Sequence, residues 1–294
     1  MTEEFSLMVT FGLLGLTILA VWLPPIASGM RFGMPVWPVL FCAAIVSGMT
    51  SGYLAWPALA ALAGFAALAW WTAHSEASRW QRVVLCILTA VIALALALHR
   101  FPGFRNPVVI ADLKVSAQAL PFTQYANFDK AAVGLILLAW LCHRATSVDD
   151  WKEIARKTPL IIAITTVIVM GLAVALGVVR FDPKWPAITP VFLAMNLLFT
   201  CVAEEAFFRG FLQERCAVAL QSVRWGGVIT IALSGLLFGL AHAAGGVPYM
   251  ILATVAGFGY ATAYASVRRV EVAIATHIVV NAVHFIGFTY PQIA

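Results

Sequence analysis

Ten apolar runs, most of them close to the length that crosses a bilayer, constrain this chain more than any other feature. They cover roughly residues 5–23, 34–56, 57–74, 80–99, 128–143, 159–179, 190–211, 226–244, 247–267 and 271–290. A membrane-spanning helix needs about 20 predominantly apolar residues. In lipid, each backbone N–H and C=O must be satisfied within the protein, which favours helices. The fold class that follows is all-α: a polytopic transmembrane helical bundle of about eight to ten spans. The runs at 57–74 and 128–143 are the weakest. Pro24-Pro25 closes the first run, and Pro57 separates the second from the third. The stretch 100–130 is polar and carries Pro102, Pro107 and Pro121, so it reads as a loop with a surface-lying piece.

Composition narrows the function classes. Of 294 residues, 62% are hydrophobic and only 11% charged. A soluble domain is nearer half apolar and a quarter charged, so an ordinary soluble enzyme, a nucleic-acid binder and a disordered chain are excluded. The net charge of +5 comes from basic residues in the gaps between apolar runs. There they act as topology determinants and lipid-headgroup contacts. With ten spans, six Lys and Arg, among them Lys130, fall on one side, and twelve, among them Arg31, on the other. The positive-inside rule then puts both termini outside. The expected partners are the bilayer and a membrane-anchored protein or peptide, with no nucleic acid. Cys42, Cys86, Cys142, Cys201 and Cys216 are odd in number and form no CxxC, so no disulfide framework is expected. The first run lacks a basic leader segment and reads as a span rather than a cleaved signal.

The few acids decide the rest. An ionisable group at the centre of a span costs about 2.5–3.5 kcal/mol on insertion scales. Asp112, Asp129, Asp149, Asp150, Glu153 and Asp182 fall in loops, and Glu214 and Glu271 lie at helix ends beside arginines. Glu204 and Glu205 stand well inside the run 190–211. On a helix, Glu205 can pair with Arg209 four residues on, while Glu204 is rotated away and must find partners on another helix. Two further groups share the last third of the chain. His242 ends the run 226–244, and His277 and Asn281 share one face of the last span. Convergence in one site would satisfy these groups together. Glu204 and His242 are the parts that activate a water, and His277 and Asn281 are donors suited to an oxyanion. The alternative is a transporter or proton-coupled carrier using the same buried Glu/His cluster. His284 reads as packing. Gly235 and Gly239 allow close packing or bending of their helix.

Three motifs now stand in order: Glu204-Glu205-Ala206-Phe207-Phe208-Arg209 as EExxxR, Phe238 to His242 as FxxxH, and His277 to Asn281 as HxxxN. Together they resemble the CPBP intramembrane proteases, the CAAX-protease and bacteriocin-processing family also called Abi, which includes the type II CAAX prenyl endopeptidases. The resemblance covers about 190–290 and implies an endopeptidase working within the membrane. It implies Glu204 as the water-activating base, His242 as its partner on the water, and His277 and Asn281 at the oxyanion. Glu205 and Arg209 take supporting roles. The organisation expected is an N-terminal transmembrane region, 1–158, without a recognised motif, and a catalytic transmembrane core, 159–294. A metal-free glutamate mechanism is favoured over a zinc site drawing on Glu204, His242 and His277, since HExxH is absent. The expected location is a bacterial cytoplasmic (inner) membrane.

Overall fold

A computed structural model describes residues 2–26 and 33–294; Arg31 lies outside the described residues. The described residues form ten helices of more than one turn. These are α1 (Glu3–Ala20), α2 (Trp37–Thr50), α3 (Trp56–His74), α4 (Arg79–Ala97), α5 (Phe128–Trp140) and α6 (Val148–Ala175). There follow α7 (Thr189–Ala219), α8 (Gly226–Ala241), α9 (Val247–Val267) and α10 (Val270–Gly287). The helical membrane bundle expected from the apolar runs is therefore present. Seven of these helices are long and apolar enough to cross a membrane, and α2 and α8 are shorter apolar helices. None of the five cysteines forms a disulfide.

Local chemistry sets many of the boundaries. Pro38, Pro57, Pro190 and Pro248 stand in the first turns of their helices, where the missing N–H costs nothing. Ser78 with Gln81 and Ser147 with Asp150 close reciprocal capping boxes that start α4 and α6. The second box explains why α6 begins at Val148 rather than at the apolar boundary near 159: its first turns are polar and capped.

The chain divides into two compact units. The first contains the stretch to Val108, Tyr125–Cys142, and the middle of α7, Leu198–Phe207. Its centre is α5, buried from Phe128 to Leu138 on every side but that of Lys130. Apolar character all round is the mark of an enclosed helix. At 13 residues α5 is about 20 Å long, short of the hydrocarbon thickness. The run at 128–143, one of the two weakest and expected as a span, is therefore a core helix. Phe128 packs against Phe11 and Phe41, and Phe11 against Tyr53 and Phe199.

The second unit contains Val109–Gln124, His143–Leu197 and Phe208–Ala294. Much of the expected loop 100–130 is a β-hairpin there, β1 (Val108–Leu113) with β2 (Phe122–Tyr125). Phe122 of the hairpin meets Phe192 and Tyr290, and Phe192 stacks on Phe285 at 3.9 Å. Helices α8 and α9 pack most closely. A Cβ on Gly235 or Gly239 would run into Phe258 or Thr254, and one on Gly257 would come within 2.9 Å of the Gly235 carbonyl. The glycine pair thus serves close packing, as small-residue spacing does in membrane bundles. On α6, Leu160, Ile164, Val167 and Ile168 share one exposed stripe, which is the lipid-facing pattern.

Candidate active site

Helix α7 is not regular where the carboxylates stand. Asn196–Cys201 and Ala206–Gln213 are π-helical, and only Val202–Glu205 between them is α-helical. A π turn holds an extra residue and changes the direction of the side chains that follow, and such segments gather at functional sites. The two glutamates occupy the last two positions of that short α stretch.

In the first unit, Glu204 has a partner on another helix, as its rotation away from Arg209 requires. Lys130 Nζ of α5 donates to Glu204 Oε1 at 2.7 Å. Lys130 is thus not a topology charge in a loop, and its neighbour Asp129 is not a loop acid. Asp129 is fully buried in the first turn of α5. Its carboxylate takes His99 Nδ1 at 2.7 Å, Asn106 Nδ2 at 3.1 Å and the Lys130 backbone N–H at 2.9 Å. The side chain of Glu205 is fully buried as well.

In the second unit, the FxxxH and HxxxN motifs meet on one ring. Phe238 lies 4.6 Å from the His242 ring and 5.7 Å, edge to face, from that of His277. Tyr260 of α9 stacks on His277 at 4.5 Å and an interplanar angle of 19°. Below them sits Arg209, with no exposed surface, its guanidinium carbon 4.5 Å from the Phe238 centroid and 5.2 Å from that of Tyr260. Arg209 Nη2 donates to the Gly257 carbonyl at 3.0 Å. This carbonyl is within reach because α8 and α9 pack glycine to glycine.

His242 caps the C-terminus of α8, and its Nδ1 lies 2.8 Å from the Phe238 carbonyl. A carbonyl only accepts, so the proton of the neutral ring sits on Nδ1 and the lone pair on Nε2. Asn281 Nδ2 donates to Asn196 Oδ1 at 2.9 Å, and Asn196 opens the first π segment. His284 meets Tyr290 and the Thr289 carbonyl. Of the expected site residues, the second unit holds Arg209, His242, His277 and Asn281, and the first holds Glu204 and Glu205.

Residues 185–283 match the family described as Type II CAAX prenyl endopeptidase Rce1-like. This stretch is similar to the CPBP, or CAAX-protease, family. The CPBP match encloses all three motifs, from Glu204 to Asn281. No curated protein and no solved structure matches the chain. The family likeness implies a protease, and with seven membrane-length apolar helices among the described residues the chain is an integral membrane protein.

Sequence reasoning missed Lys130, Tyr260 and Asn196. Lys130 stands at the edge of an apolar run, where a basic residue has an ordinary interfacial reason. Asn196 could have been found, as an amide inside the run 190–211. Nothing in the sequence marks Tyr260. Among the described residues, no three His, Cys, Asp or Glu side chains are grouped as ligands of one metal ion.

Proposed function

We propose that the protein is an intramembrane endopeptidase that cleaves a membrane-anchored protein or peptide by a metal-free glutamate mechanism. The observation that carries this reading is the CPBP match across 185–283, with EExxxR, FxxxH and HxxxN all inside it. Glu204 is the general base. It takes a proton from a water as the oxygen attacks the scissile carbonyl. His242, with its lone pair on Nε2, helps hold that water. His277 and Asn281 donate to the oxyanion of the tetrahedral intermediate, a role worth about 10²–10³ in rate per donor. As the intermediate collapses, protonated Glu204 returns its proton to the leaving amine. The ring of Tyr260 against His277 and the Asn196 bond to Asn281 support this assignment, because both restrict the donors before substrate arrives.

The substrate is a segment already in the bilayer, since a chain this apolar meets its partners there. The location proposed is a bacterial cytoplasmic membrane. The test compares the membrane proteomes of cells carrying the wild-type protein and Glu204→Gln. One or a few uncleaved membrane-anchored precursors should accumulate in the variant and disappear with wild type. Identical sets of membrane-protein termini in the two strains would overturn the reading.

A further inference from the structure

Lys130, the partner of Glu204, belongs to none of the three motifs. The two side chains are only 21% and 13% exposed. Taking an ammonium and a carboxylate out of water costs several kcal/mol per ion, and apolar replacement of such pairs is often neutral or stabilising. Stability alone therefore gives the chain little reason to keep it. The surroundings are nevertheless built to hold it.

The first turn of α5 is fixed from outside. Asn106 Oδ1 accepts from the Phe128 N–H at 3.0 Å while its Nδ2 holds Asp129, and His99 holds the other oxygen of that carboxylate. His99 adopts φ +57°, a left-handed backbone uncommon for a non-glycine residue. One turn on, Gly134 lies on the same face as Lys130. A Cβ there would stand 2.5 Å from the Ala203 Cα, so the two backbones touch beside Glu204. Asp129 and Gly134 together fix where the Lys130 ammonium reaches α7.

Resting on the protease reading above, we propose that Lys130 is a positioning residue for the general base. Its ammonium holds Oε1 of Glu204, balances the charge of that carboxylate in the bilayer, and sets the plane in which the carboxyl group meets water. The role needs a cation at this length. Arginine fills it in part, and methionine, of similar size, does not.

The experiment uses the full-length protein in nanodiscs, with the precursor found in the proteome comparison as substrate. Lys130→Met should lower kcat about 10²-fold with KM within about threefold, the cost expected when a reacting group is misplaced. Lys130→Arg should recover about tenfold or more of that loss. Thermal unfolding of wild type, Lys130→Met, Glu204→Gln and the double variant gives a readout that needs no substrate. The two single shifts should be non-additive, because each variant removes one partner of the same pair. Where Lys130→Met does not fold, Lys130→Gln replaces it and must show the same kcat loss. A wild-type kcat in Lys130→Met, equal losses in the Met and Arg variants, or additive thermal shifts would overturn the assignment of Lys130. Full activity in Glu204→Gln would instead sink the glutamate mechanism on which this role rests, while the thermal cycle would still decide whether the pair exists.

Discussion

Arg209 is a guanidinium with no exposed surface. It persists there because it is planar and delocalised: Phe238, Tyr260 and Phe208 present ring faces to it, and the Gly257 carbonyl takes one of its donors. The same rings carry His242 and His277, so a motif residue of supporting character shapes the two imidazoles. Arg209→Lys keeps the charge but loses the flat surface. We expect a loss of about 1–3 kcal/mol in thermal or denaturant unfolding, and a larger loss of activity than of expression. Tyr260→Leu removes the ring stacked on His277. It should lower kcat about tenfold or more with KM nearly unchanged, because an oxyanion donor acts in the transition state. A KM rise with intact kcat would assign Tyr260 to substrate binding instead.

Packing between helices is where single substitutions should separate most cleanly. A Cβ on Gly239 would collide with Thr254, whereas one on Gly227, in the same helix, meets nothing within 4 Å. Gly239→Ala should therefore displace α8 from α9 and with it Phe238 and His242, reducing both stability and turnover. Gly227→Ala should be neutral or stabilising by about 0.4–1 kcal/mol, since it only removes freedom from the unfolded chain. Unfolding midpoints of the two variants measured side by side check this. The ten helices were legible because hydrophobic run length is a strong signal and prolines punctuate it. The hairpin at β1 and β2 was not, because its strands lie in a stretch broken by prolines and charges. The π segments of α7 were not either, since nothing in Asn196–Cys201 or Ala206–Gln213 distinguishes them from α-helix by composition. For the site, the motif residues could be read because buried charge is rare and therefore conspicuous. Lys130 and Asp129 could not, because at the edge of a run a charge looks interfacial, and only the position of α5 reveals that it is buried.

At the scale of the whole chain, the matched family stretch does not stand apart from the residues before it. The middle of α7, with Glu204, packs in the unit that contains α1 to α5. A fragment limited to 159–294 lacks Lys130, the Asp129 network and the contact at Gly134. It should aggregate or remain inactive when expressed alone, as size-exclusion chromatography and turnover would show; an active fragment would contradict the dependence on α5. A strong chelator should leave turnover of the intact protein unchanged, and loss restored by zinc would replace the glutamate mechanism with a metal one. The central claim, that Glu204 is the base of a peptide hydrolase, is tested most directly by reconstituting the purified protein with its accumulated precursor. Single-turnover cleavage by wild type and Glu204→Gln is then followed by mass spectrometry of the new termini. The account predicts one defined cleavage by wild type and a rate lower by at least about 10³ in Glu204→Gln. Equal cleavage by the two proteins would contradict it.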